Sequence, residues 1–130
     1  MKCFLSGLSG ALLLLVVAGV VLPDIPYFWV PRKETLEWLD QVKPIQATIE
    51  KNAIQQNSLM NAGRSLDKKA FQNANANLNL FEIAETGTLI LRGGRVEQVI
   101  ILIPSLAAGQ VTWRCIGGSD KFASRVCVAN

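Results

Sequence analysis

The chain has 130 residues, a net charge of +3 and no histidine. This length suits one small domain, and so mild a charge does not require a nucleic-acid or membrane-surface partner. Without histidine, the Ser-His-Asp and Cys-His nucleophile arrangements are excluded, and so are nearly all catalytic zinc sites. The composition therefore predicts a protein that is not an enzyme and that holds no cofactor and no metal.

The segment from Phe4 to Leu22 is apolar and uncharged, and it follows Lys2. At about 1.5 Å per residue, a helix of this length nearly spans a hydrocarbon core of about 30 Å. The aromatic run Tyr27–Trp29 comes next, and such residues are common at a membrane–water boundary. We expect residues 1–30 to form a transmembrane helix or leader with this aromatic boundary. A cleaved secretory signal is the alternative.

The three cysteines lie on opposite sides of this apolar segment. Cys3 precedes it, whereas Cys115 and Cys127 lie far beyond it. If the segment enters a membrane, Cys3 stays on the reducing side and the other two reach an oxidising compartment.

An amphipathic helix is predicted over residues 31–62. Pro31 suits its first turn, Gly63 suits its C-terminal cap, and Pro44 should kink it. Its apolar residues recur at steps of three or four, as in a helix that packs on the protein's own sheet, and a partner-binding helix is the alternative. Trp38 is expected to face the membrane or a neighbouring molecule. The stripe consists of Leu36, Leu39, Val42, Ile45, Ile49 and Ala53.

The second half of the chain changes to strand-like patterns. Residues 63–79 are rich in Asn and predict a surface connection with one helical turn at Lys68–Phe71. Gly93-Gly94 indicates a tight hairpin turn, Ala107–Gln110 a second turn, and Pro104 the end of the third strand. One helix followed by close hairpins predicts an α+β fold, with the helix on a four-stranded antiparallel sheet. The predicted strands are Leu80–Ala84, Thr88–Leu91, Val96–Ile103 and Val111–Cys115.

An ordered set of residues between positions 83 and 127 resembles the C-terminal half of a type IV pilin of the proteobacterial kind. The set comprises Gly87 before a strand, the Ile101–Pro104 run, the G-x-V-x-W-x-C pattern of Gly109–Cys115, the Lys121-Phe122 pair and Cys127. The helix from Lys33 to Ala62 is also similar to the lower half of a pilin helix.

The resemblance implies a pilin-like head over residues 31–130. It would consist of a helix spine at 31–62, an αβ loop at 63–79, and a sheet with a disulfide loop at 80–130. The resemblance also implies that Cys115 pairs with Cys127. The rival interpretations are a reactive thiol, which would have no histidine base, and a two-cysteine metal site, which would have no further ligands.

The loop between these cysteines is the predicted contact surface, because the corresponding region carries surface contacts and adhesion in pilins. A small basic patch of Arg114, Lys121 and Arg125 is predicted beside it. The patch would be ordinary solvated surface, or it would bind a DNA backbone as in DNA-uptake pilins. Trp113 is expected to pack in the core beside the disulfide. The contact loop comprises Ile116, Gly117, Gly118, Ser119, Asp120, Lys121, Phe122 and Arg125.

The N-terminal segment departs from the family pattern. Pilins carry a leader that ends in glycine, followed by an apolar run with a glutamate at its fifth position. That glutamate neutralises the amino terminus of a neighbouring subunit during assembly. Here Gly7 and Gly10 are the candidate leader ends, and Phe4–Leu22 contains no carboxylate.

The predicted function is that of a structural subunit of a type IV pilus (fimbrium) or related filament, acting in assembly, cell adhesion or motility. Its expected partners are the inner membrane, other pilin subunits or pilus assembly proteins, and a host or abiotic surface. The head would lie in the periplasm, or outside the cell within a pilus. The alternatives are an anchored accessory protein that does not polymerise and a secreted module that binds a ligand or DNA.

Overall fold

The computed structural model describes residues 25–117 and 126–127 of the chain. Contacts divide the chain into two units, Met1–Val30 and Pro31–Asn130, and the helix–sheet fold belongs to the second. The apolar segment that predicts an anchor lies outside the described residues. Within the described part of the chain, no helix combines the length and the apolar character that a membrane span needs.

Two consecutive helices, α1 (Ile25–Gln41) and α2 (Lys43–Gln56), replace the single predicted one. The break lies at Val42, and Pro44 occupies the first turn of α2, where its missing N–H costs no hydrogen bond. The helix is therefore interrupted close to the proline at which a kink is predicted. The predicted end at residue 62 is wrong, because Asn57 adopts a left-handed conformation with φ of 47° and ends α2. Asparagine tolerates that conformation better than most residues.

The buried stripe of the helices differs from the predicted one at its N-terminal end. Leu36 is 45% exposed, whereas Thr35 and Trp38 are buried. The expectation that Trp38 faces a membrane or a neighbour is wrong. Its indole packs over the β2–β3 turn, where a Cβ on Gly94 would lie 3.3 Å from the Trp38 ring. The remaining buried positions of the stripe are Val42, Ile49 and Ala53.

The sheet is an antiparallel meander in the order β1-β2-β3-β4. It confirms the predicted α+β class and the number of strands. The Ala107–Gln110 turn is confirmed with Ala108 and Gly109 in left-handed conformations. The turn at Gly93-Gly94 is wider than predicted, since β2 and β3 pair only from Gly93 and Gln98 onward. The strands are β1 (Leu78–Ile83), β2 (Leu89–Gly93), β3 (Gln98–Ala107) and β4 (Gln110–Gly117).

Pro104 does not end the third strand. It lies inside β3 and pairs with Trp113 of β4. The pairing of β3 with β2 stops at Leu102, opposite Leu89. Beyond that point β3 has a strand neighbour on one side only, so the missing N–H of a proline removes no hydrogen bond from the other side.

A short helix, α3 (Lys68–Ala74), lies in the connection between α2 and β1. It confirms the predicted helical turn and extends it by three residues. Asp67 caps its N-terminus by accepting hydrogen bonds from the backbone N–H groups of Lys69 and Ala70. The ring of Phe71 packs on that of Phe81 in β1, with centroids 4.3 Å apart. This stacking holds the connection against the sheet.

A buried polar contact joins α1 to the sheet. The Thr35 hydroxyl on α1 donates to the Gln98 side-chain oxygen at the start of β3. Both residues are fully buried. Among the described residues, the Gln98 amide nitrogen has no hydrogen-bond partner. Because an off-register packing would leave further buried polar atoms unpaired, this contact favours a single alignment of α1 on the sheet.

Candidate functional site

The disulfide joins β4 to the C-terminal end of the chain. Cys115 and Cys127 are bonded, with Cα atoms 5.1 Å apart. Cys115 lies opposite Leu102 on the face of the sheet that the helices cover. Both half-cystines are partly buried against the core, and the neighbouring Val126 is almost fully buried. The pairing implied by the pilin resemblance is confirmed, and it closes the segment between the two cysteines into a covalent ring.

Trp113 links the same strand to the helices. It is partly buried against the core, two residues before the disulfide. Its indole Nε1 donates a hydrogen bond of 2.7 Å to the Glu50 carboxylate on α2. A hydrogen bond to an ionised acceptor is stronger than one between neutral groups. The predicted place beside the disulfide is therefore confirmed, and the polar link to α2 adds a contact that spacing did not reveal.

A groove separates α1 from β4 next to the disulfide. It encloses about 410 Å³ and has an apolar floor with a polar rim. An exposed ion pair of Lys43 and Asp40, 2.8 Å apart, lies on the rim. Sequence reasoning missed this groove, although Leu36 belongs to the apolar stripe and remains exposed at its edge. The lining residues are Leu36, Leu39, Asp40, Lys43, Gln46, Leu102, Trp113 and Cys115.

The predicted contact loop falls mostly beyond the described residues. Ile116 is 37% exposed at the end of β4, and Gly117, the last residue of that strand, is partly exposed. The other members lie outside the described residues, and the role of the loop stays a prediction. These are Gly118, Ser119, Asp120, Lys121, Phe122 and Arg125.

The predicted basic patch is described at one residue only. Arg114 is exposed on β4, and its neighbours in the strand, Trp113 and Cys115, both pack against the core. Since side chains alternate along a strand, Arg114 points away from the helices. Lys121 and Arg125 lie outside the described residues, so the patch stays a prediction.

We expect Trp113→Phe to lower the free energy of unfolding by about 1.5–3 kcal/mol, because it removes a hydrogen bond to a charged acceptor. Chemical denaturation of the full chain measures this change. In the Trp113→Phe background, Glu50→Ala should then cost less than it does in the parent protein. Equal costs of Glu50→Ala in both backgrounds would show that the indole–carboxylate contact does not stabilise the fold.

The chain matches no protein-family model, no curated protein and no solved structure. The disulfide-bonded strand β4, its tryptophan and the adjoining groove form the candidate functional site.

Proposed function

We propose that this protein is a non-enzymatic, pilin-like structural subunit of a type IV pilus or a related filament. The apolar segment Phe4–Leu22 would hold it in the inner membrane before assembly. The head would lie in the periplasm and, after assembly, on the outside of the cell. Its partners would be other subunits or assembly proteins. The loop closed by its disulfide would contact a host or abiotic surface.

The observation that carries this proposal is the combination at β4. The strand follows a helix and three antiparallel strands, and it carries Trp113 two residues before a disulfide-bonded Cys115. Cys127 returns to this strand from 12 residues further along the chain. Such a cross-link ties the C-terminal segment to the sheet of a small domain, whose core alone supplies limited stability. A protein that contacts surfaces outside the cell benefits from this arrangement.

One sequence feature favours a second candidate function. The segment Phe4–Leu22 contains no carboxylate, so it has no group that could neutralise the amino terminus of a neighbouring subunit. An anchored pilin-like accessory protein, which binds or modulates pilins without polymerising, does not need that carboxylate.

The intact mass of the protein in membrane and sheared-fibre fractions tests the proposal. A chain that begins at Leu8 or Ala11 and is found in fibres is the expected result for a filament subunit. A chain that begins at Met1 and stays in membranes would contradict the filament role and leave the accessory one. A soluble head released by signal peptidase would contradict both. Cells that lack the gene are the control for contaminating fibres.

A further inference from the structure

The sheet face turned away from the helices, here called the outer face, is apolar at its centre. The opposite face holds the core residues Leu89, Leu91, Ile100 and Leu102. Because side chains alternate along a strand, the residues between these positions point outward. The pairing of the strands aligns them into rows across the sheet. The outer face comprises Leu80, Glu82, Ile90, Arg92, Val99, Ile101, Ile103, Ser105, Thr112, Arg114 and Ile116.

Strand β3 has the composition of a strand that is covered on both sides. Its outward residues Val99, Ile101 and Ile103 are β-branched and apolar, although an antiparallel sheet with one face in water normally alternates apolar with polar residues. They are partly buried. Among the described residues, neither Ile101 nor Ile103 belongs to the core cluster or packs against it. The centre of the outer face therefore has the chemistry of an interface.

Two charges of this face lie on its edge strands and have opposite signs. Glu82 lies on the edge strand β1, and Arg114 lies on the opposite edge strand β4. Arg92 is already paired with Glu97, with the guanidinium and carboxylate atoms 3.0 Å apart. An apolar centre within a charged and polar rim is the usual anatomy of a protein–protein interface.

We propose that the outer face binds the outer face of a second copy of this chain. The two copies would be related by a two-fold axis parallel to the strands, between β2 and β3. This rotation puts β1 of one copy opposite β4 of the other, and it puts β2 opposite β3. The apolar rows of Ile90 and Ile101 then meet, as in the packing of two sheets face to face.

The charges select this axis. With the axis parallel to the strands, the strand of Glu82 faces the strand of the partner's Arg114. The two residues are offset along the strands by two positions, or about 7 Å, which an arginine side chain can reach. The interface would contain this attraction twice. A two-fold axis across the strands would instead set Glu82 against Glu82 and Arg114 against Arg114, which is unfavourable.

This inference goes beyond the proposed function. A two-fold interface uses the same patch on both copies and is closed, so it does not extend a filament. Head-to-tail contacts of a filament would have to use other surfaces. Sheared fibres test the filament role, whereas the mass of the purified protein in solution tests this interface, and either result stands without the other.

Sedimentation of the full chain in detergent tests the interface. We expect a reversible equilibrium between monomer and dimer. The dimer should become populated as the protein concentration is raised to about 100 micromolar, because small interfaces bind weakly. Glu82→Arg alone and Arg114→Glu alone should each weaken the dimer about tenfold, since each turns two attractions into two repulsions. The double variant Glu82→Arg/Arg114→Glu restores opposite charges and should restore the parental dissociation constant. Both positions are exposed, so the fold tolerates these changes.

Lys51→Glu is the matched control, because Lys51 is an exposed charge on α2 and is not a member of the outer face. It should leave the dimer unchanged. A protein that stays monomeric at all concentrations would overturn the proposal, and a different occupant would then cover the outer face. A dimer that is insensitive to both single reversals, or a double variant as weak as the single ones, would also overturn it.

Discussion

Replacing both cysteines of the disulfide, Cys115→Ser with Cys127→Ser, should lower the free energy of unfolding by about 3 kcal/mol. The closed ring spans 12 residues in sequence, and opening it restores chain entropy to the unfolded state. For a domain whose total stability is only about 5–15 kcal/mol, this loss is large. Thermal unfolding of the parent and the variant under non-reducing conditions measures it.

Cys3→Ser is the control for the disulfide experiment. Cys3 lies before the apolar segment, and its replacement should leave the melting temperature unchanged. Reductant should lower the stability of the parent to that of the double variant and should add two hydrogens to its mass. An unchanged melting temperature in the double variant would contradict a stabilising role of the disulfide. The attachment of the C-terminal segment to β4 would then have no measurable effect on the fold.

Truncating Phe81, the β1 member of the aromatic pair that joins α3 to the sheet, is the second large change. We expect Phe81→Ala to cost about 3–5 kcal/mol, because it removes a fully buried aromatic side chain and leaves a cavity. Phe81 is 1% exposed and stacks on Phe71. The same change should release α3 from the sheet. Relative to the parent protein, hydrogen exchange should therefore accelerate more at the amides of α3 than at those of β3. Hydrogen exchange measures the release of α3, and chemical denaturation of the same samples measures the loss of stability.

Two further variants delimit this result. Phe81→Leu keeps most of the buried apolar volume and should cost clearly less than Phe81→Ala. Ile116→Ala truncates an apolar side chain that is 37% exposed and should have a small effect on stability. If Phe81→Ala were no more costly than Ile116→Ala, the contact between the connection and the sheet would not belong to the core.

Neighbouring residues account for the elements that the sequence predicted correctly. The helix break just before Pro44, the helical turn after Asp67 and the turn at Ala108-Gly109 each depend on backbone chemistry within a few residues. The four strands follow from short apolar runs between turn residues. The disulfide was implied by the resemblance of β4 and its surroundings to a pilin, and the structure contains it.

Long-range contacts account for what the sequence did not reveal. Trp38 is buried because the β2–β3 turn brings Gly94 beneath it, and these residues are far apart in the chain. Leu36 has the right period but lies at the edge of the groove, where no sheet residue covers it fully. Pro104 fits inside β3 only because β2 is too short to reach it.

By itself, the sequence determined the fold class, the order of the strands and the continuous apolar run that gives β3 two apolar faces, since these follow from local propensity and periodicity. The tertiary structure alone decided which side of each element is covered, which polar groups meet in the core, and where opposite charges fall on the outer face. Burial and pairing depend on residues distant in the chain. The partners Thr35 and Gln98, like Glu50 and Trp113, are 63 residues apart.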